Sequence, residues 1–473
     1  MHHLSSLQDS SVQHFVASSS LPVSASDAFA YHERKGALEH LIPPWQDVKV
    51  ESSDGSLTPG SIVVLKTKIG PKSIRWIAQH TTYEPPRLFV DVQQSGPFAA
   101  WEHRHEFDHL TDNHCTLRDK VQYELPFGKA GQTFGASFAK HQLESMFAYR
   151  HRVTIDDLEL ARRHDVPKMK IAISGASGLV GKRLSNFLRL IGHDVVRLER
   201  TAEKAQGSPD AIAPWGQGSE AEKLNGFDAV VHLAGKSIAS GHWNEKVKQE
   251  IRDSRVELTT QLANLLAQLS SPPKVLVCAS ATGFYGDRDE ETLTESSVAG
   301  EDFLASVARE WEAACQPAAD AGIRVCNTRL GIVLDPRGGA LQQMLLPAKM
   351  MGGHLGSGQQ WWSWISLDDV VGGIYHAICT ESLAGSINFS TPHPLRNREF
   401  AKTLGQVISR PALVPAPAFV LRLALGEMAD ALLLSSTKAI PKKLIESGYR
   451  FRFEHADDAL RYCLGVDRME SDR

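Results

Sequence analysis

Along the first third of the chain, apolar and polar residues alternate with a period of two. "VQHFVASSSLPV" opens the pattern, and "SIVVLKTKI", "SIRWIAQHTTYE", "RLFVDVQQS", "WEHRHEFDHL" and "CTLRDKVQYEL" continue it. Such alternation turns one face of each run toward a core and the other toward water, which predicts an antiparallel sheet. After the first run, "SASDAFAYHE" predicts a short helix with Ser24 and Asp27 as a capping box. "GALEHLIPPW" predicts a second, stopped by its double proline. From about Gln132 to Arg163 the period changes, and Phe134, Phe138, Leu143, Phe147 and Ile155 are among the apolar positions of one long helix. Strand, two short helices, meander and closing helix make an α+β helix-grip plan over residues 1–165.

Beyond the charged linker "RRHDVPK" the pattern becomes that of an α/β protein. The continuously apolar runs "KIAIS", "DVVRLE", "AVVHLAG" and "KVLVCAS" alternate with helical stretches such as "VKQEIRDSRVELTTQLANLLAQL". Strands apolar on both faces predict a doubly wound parallel sheet of the Rossmann type, over residues 169–386. Residues 387–473 carry "FSTPHPLRNREFAKTLGQVISRP" and "FVLRLALGEMADALLL", which predict a small C-terminal helical cap. The latter run holds Arg422, Glu427 and Asp430, whereas a membrane span needs about 20 mostly uncharged residues, so it reads as a core helix.

Composition narrows the partners. At 473 residues, 42% of them hydrophobic, the chain can bury several cores. A net charge of −4 removes the electrostatic case for nucleic acid or an acidic membrane surface. The six cysteines form no C-x-x-C pair, which suits reduced thiols better than a disulfide framework or a structural zinc. The N-terminal residues lack a basic region followed by an apolar core, so a cytoplasmic location is expected.

The stretch "KIAISGASGLVG" carries the chemistry. Gly175 permits a tight turn, Gly178 lets the backbone approach a pyrophosphate, and Gly181 lets the helix pack closely on the strand. The amides around Ser177, Leu179 and Val180 would face the phosphates at the positive end of the helix. At the end of the next strand an acid favours NAD and an arginine favours NADP. Glu199 followed by Arg200 offers both, and the arginine favours NADP, with NAD the alternative. Ala234 and Gly235 would pass the adenosine side of the cofactor without obstruction.

These pieces, with "HLAGKSIASGHW", "DSRVELTTQL", "SATGFYGD", "NTRLGIVLDPRGGAL" and "WWSWISLDDV", resemble the extended and atypical short-chain dehydrogenases/reductases. Within them, the bacterial nucleoside-diphosphate-sugar epimerase family is the nearest in pattern. In the first third, "PPW", "GPFAAW" and "HRHEF" resemble the START-like polyketide-cyclase/lipid-transfer superfamily, which implies a cavity for an apolar ligand. The reductase resemblance implies a serine, a tyrosine and a lysine. Ser280 matches the serine, but aligning Glu312 with the family's glutamate puts Ala308 and Leu304 at the lysine and tyrosine positions. Tyr285 matches a tyrosine lining the substrate side, and Arg255, where an asparagine is usual, would lower its pKa if the two met.

Two readings follow. One is an NADP-dependent oxidoreductase or epimerase acting on a small molecule, with Ser280 and Tyr285 catalytic. The other is an NADP-binding ligand or redox sensor without turnover. Elsewhere, His103 and His105 form an H-x-H pair on a strand, but no third ligand declares itself, so no metal is expected. Trp361, Trp362 and Trp364 read as an aromatic anchor for the cap, with a substrate-side lid or stacking platform the alternative. Arg329 reads as a contact for an anionic substrate or a brace through a carboxylate such as Asp369.

Overall fold

The computed structural model describes residues 12–70, 72–215, 219–239 and 241–467, and the start of the segment read for a leader lies outside them. The chain divides into two compact units, Met1–Arg163 with Gly465–Arg473, and His164–Leu464.

The first unit follows the helix-grip order. Strand β1 (Gln13–Leu21) leads to helices α1 (Ala25–Glu33) and α2 (Ala37–Leu41). Strands β2 (Val48–Ser53), β3 (Ile62–Ile69), β4 (Lys72–Glu84), β5 (Leu88–Ser95), β6 (Ala100–Thr111) and β7 (His114–Glu124) precede helix α3 (Gly128–His164). The seven strands pair antiparallel in the order β1-β7-β6-β5-β4-β3-β2. Ser24 caps α1, its Oγ accepting from the Asp27 amide at 3.1 Å. Phe15, Trp101, Tyr123, Leu143 and Phe147 share one core, with the Phe15 and Phe147 rings stacked at 5.1 Å. Phe138, one of the apolar positions of α3, is 65% exposed. Nine residues at about 100° each put it opposite Phe147, and Ala139 takes the buried place instead.

In the second unit, β8 (Lys170–Ser174), α4 (Leu179–Leu190), β9 (Asp194–Leu198), β10 (Ala211–Ile212) and β11 (Ala229–His232) open a parallel sheet. Helix α5 (Glu245–Ala267), β12 (Val275–Ala281), α6 (Phe303–Ala313), β13 (Arg324–Leu330), α7 (Leu367–Cys379) and β14 (Gly385–Phe389) complete it. The order is β10-β9-β8-β11-β12-β13-β14. It reverses direction between β8 and β11, and open α/β sheets bind ligands at the crevice this creates. Ala172, Val230, Leu262, Leu276 and Trp311 meet in the core.

Ile387, where the cap was expected to begin, lies within β14, the last strand of this sheet. The run "FVLRLALGEMADALLL" is not a core helix. Its first helix, Ala418–Leu425, buries no residue, leaving Phe419 70% and Leu423 86% exposed, and it stops at Gly426 with φ +62°, beyond which Met428 and Ala429 are buried. Apolar residues there follow one another without the three-and-four spacing that would gather them on one buried face. Among the described residues, no helix is long and apolar enough to cross a membrane.

Candidate functional site

Strand β8 buries Ile171 to Ser174 and delivers the chain to Gly175, which turns at φ +70°. A Cβ on Gly175 would lie 2.8 Å from the Leu233 carbonyl carbon, and one on Gly181 only 2.2 Å from the Gly175 oxygen. Both glycines are therefore required by close backbone approach. Gly178 stands at the N-cap of α4, and no side chain caps this helix. Its first-turn amides, those of Leu179, Val180 and Gly181, are thus open to an outside acceptor, and Ser177 and Gly178 are exposed beside them. Leu184, Phe187 and Leu188 seat the other face of α4 in the core. The cradle fits a pyrophosphate in shape and in the sign of its charge.

The two residues after β9 differ in their surroundings. Glu199 is drawn back toward Arg197, whose Nη1 stands 3.6 Å from its carboxylate. Arg200 is exposed and makes no side-chain hydrogen bond or ion pair among the described residues. Ala234 abuts the glycine turn, and a Cβ on Gly235 would sit 3.5 Å from Arg255 Cζ. Arg255 donates from Nη1 to the Ile251 carbonyl at 3.1 Å and lies 5.1 Å from the Trp311 ring, with burial lowering its pKa to about 10. The structure so brings Gly175, Gly181, Ala234, Gly235 and Arg255 to one edge of the sheet. Sequence reasoning missed His232 at the same edge. Its Nδ1 lies 2.6 Å from Ser174 Oγ, and burial pushes its pKa down to about 4.

The expected catalytic pair belongs to a different, internal network. Ser280, Arg329 and Asn388 are cross-strand neighbours on β12, β13 and β14. Ser280 Oγ donates to Glu312 Oε1 at 2.8 Å. Arg329 grips the same carboxylate with Nε at 2.7 Å and Nη2 at 2.8 Å, and its Nη1 donates to the Tyr285 oxygen at 2.9 Å. The Tyr285 hydroxyl donates in turn to Asn388 Oδ1 at 2.6 Å. Tyr285 is fully buried, and burial raises its pKa although Arg329 pulls it down.

Two expectations are corrected here. The cation beside Tyr285 is Arg329 rather than Arg255. The carboxylate bracing Arg329 is Glu312 rather than Asp369, which instead accepts from Ser366, Tyr449 and the amides of Arg452 and Phe453. Ala308 is buried, and Leu304 packs beside Gly283 on the turn after β12. Trp362 and Trp364 are buried, Trp362 against Phe400 at 5.6 Å, as an anchor would be. In the first unit, His103 and His105 do have a third neighbour that the sequence did not reveal, Asp91.

Comparison with known proteins agrees with this architecture. Residues 171–388 match the NAD dependent epimerase/dehydratase family, residues 21–147 the polyketide cyclase/dehydrase and lipid transport family, and residues 416–463 a domain of unknown function, DUF1731. The chain is 39% identical over 306 residues to the chloroplastic SDR39U1 homolog of Arabidopsis thaliana, covering 62% of this chain and 86% of that protein. It is 38% identical over 296 residues to the epimerase family protein YfhF of Bacillus subtilis, covering 62% and 97%. A nucleoside-diphosphate sugar epimerase structure from Corynebacterium glutamicum covers 96% of this chain and 90% of its own, with TM-score 0.77 and 32% identity. Human SDR39U1, solved with NADPH, aligns at TM-score 0.58 and 31% identity over 63% of this chain and 99% of its own. The chain belongs to the epimerase family of SDR39U1 and YfhF, with a polyketide-cyclase/lipid-transport domain preceding the nucleotide-binding fold.

Proposed function

We propose that the second unit binds NADP(H) and reports or stores it without the proton relay of the parent reductases. Gly175, Ser177, Gly178, Leu179, Val180 and Gly181 hold the pyrophosphate, Arg200 takes the 2′-phosphate, and Ala234, Gly235 and Arg255 flank the adenosine side. Bound nicotinamide would supply a hydride. The carrying observation is Arg200, exposed and without a side-chain partner among the described residues, while Glu199 lies 3.6 Å from Arg197. The absence of turnover is supported by Ser280 and Tyr285, 2% and 0% exposed, with both hydroxyls spent on internal partners. The match to the polyketide cyclase and lipid transport family supports an apolar small molecule as the ligand of the first unit.

Membership of a family of NAD-dependent epimerases favours a second reading, an oxidoreductase or epimerase with Ser280 and Tyr285 catalytic. Incubation with NADPH and a panel of carbonyl compounds separates the two. The binding reading expects stoichiometric NADPH uptake with no sustained loss of nicotinamide absorbance. Sustained oxidation that falls to background in Tyr285→Phe would overturn it in favour of the enzyme.

A further inference from the structure

We propose that Asp91, His103 and His105 form a divalent transition-metal site of the zinc class in the helix-grip unit, with Asp119 positioning both imidazoles. The sheet register makes the cluster. Asp91 on β5 pairs across to His103 on β6, and His105 on β6 pairs across to Asp119 on β7. His103 and His105 lie two apart on one strand, so both point to the same face. That face is the one covered by α3, because the His103 ring lies 5.3 Å from that of Phe147.

Donor spacing argues for an ion. His103 Nδ1 lies 3.5 Å and His105 Nε2 3.8 Å from Asp91 Oδ2, and the three donors all fall within 4.8 Å of one another. These separations exceed ordinary N–H···O hydrogen bonds, which run to about 3.2 Å. They approach the edge of a ligand tetrahedron around zinc, about 3.3–3.4 Å for bonds of about 2.05 Å.

The remaining nitrogens lie beside a second carboxylate, and His103 Nε2 is hydrogen-bonded to it, as the outer nitrogen of a metal-bound histidine is. His103 Nε2 lies 2.9 Å and His105 Nδ1 2.6 Å from Asp119 Oδ1. The other oxygen of Asp119 is fixed by His151 Nε2 at 2.7 Å, and His151 Nδ1 is bonded to Ser19 Oγ. Asp119 is buried and Asp91 mostly so, and Arg150 sets one positive charge near the two carboxylates. A dication would offset the negative charge that remains.

Three donors leave a fourth position open. Phe89 stacks on His105 at 4.0 Å and Trp101 flanks His103, so the surrounding wall is apolar. The ligand class is therefore an apolar molecule with a carbonyl or carboxylate oxygen to coordinate.

The test uses full-length protein stripped with a chelator and titrated with Zn²⁺ by calorimetry and with Co²⁺ by visible absorption and proton NMR. Expected are one ion per chain, the visible bands of four-coordinate Co²⁺, and two exchangeable, paramagnetically shifted imidazole N–H resonances from His103 and His105. Asp91→Asn and His105→Gln should abolish stoichiometric uptake, and Asp119→Asn should weaken it by about 10–100-fold. His455→Gln, in the exposed His393–Glu454–His455 cluster, should change nothing. Failure of the natively folded, stripped wild type to take up one ion overturns the site. So does uptake that survives Asp91→Asn and disappears in His455→Gln. Should Asp91→Asn misfold, the wild-type resonances decide: fewer than two shifted imidazole protons refutes the assignment.

Discussion

Replacing Arg200 by alanine should weaken NADPH and leave NADH unchanged. In the structure this guanidinium is exposed and has no competing carboxylate partner, because Glu199 leans to Arg197 at 3.6 Å. A unit charge pair at about 4 Å is worth roughly 1 kcal/mol in water and about 4 kcal/mol at an effective dielectric constant of 20. A phosphomonoester near its dianion roughly doubles the charge, but exposure pulls the value toward the low end. A loss of about 1.5–2.5 kcal/mol follows, or roughly 10–70-fold in Kd. Fluorescence titration of both nucleotides measures this directly. Raising salt from about 0.15 to 0.5 M should weaken NADPH binding to the wild type and scarcely affect Arg200→Ala, because an exposed pair is screened. Equal losses for NADPH and NADH, or none for NADPH, would refute the role given to Arg200.

Gly181→Ala should cost about 2–3 kcal/mol in urea melts and abolish nucleotide binding, since the new methyl would meet the Gly175 carbonyl at 2.2 Å. Arg329→Met should destabilise the second unit by about 3–5 kcal/mol by stranding Glu312, and the double variant Arg329→Met/Glu312→Leu should recover part of that loss. Acid stability tests His232, whose pKa falls from 6.5 to about 4 on burial. The unfolded chain binds a proton below 6.5 that the native imidazole refuses, so stability is full above that pH and falls by up to about 3 kcal/mol as pH drops to 4. His232→Gln should flatten that part of the profile, measured by denaturant melts at pH 4.5, 5.5 and 7.

Much of this was legible in the sequence because local pattern carried it. "KIAIS" followed by three spaced glycines specifies strand, turn and helix from neighbours alone, and the alternating runs of the first unit specify a meander. Contacts that depend on strand register were not legible. Asp91 joins His103, and Asp119 joins His105, only once β5, β6 and β7 are paired. Arg329 meets Glu312 across 17 positions through a strand and a helix, so Asp369 looked equally eligible. Phe138 lies nine residues from Phe147, on the opposite side of α3, and an apolar residue type alone does not tell the two sides apart. Tyr285 resembled a proton donor by position, and nothing in its neighbours announces Asn388, 103 residues away.

The Asp368–Asp369 pair on α7 ties the end of the chain to the nucleotide-binding fold. Asp369 gathers Tyr449 and the amides of Arg452 and Phe453, while Asp368 joins Arg183 on the glycine-loop helix to the Tyr462 hydroxyl. Cutting the chain short before residue 449 would take the Tyr449 and two amide donors from Asp369, leaving it Ser366, and the Tyr462 hydroxyl from Asp368, leaving it Arg183 on the glycine-loop helix. The terminal module is thus inherited as a closure for this fold. A recombinant that exchanges it should carry matching donors for both acids.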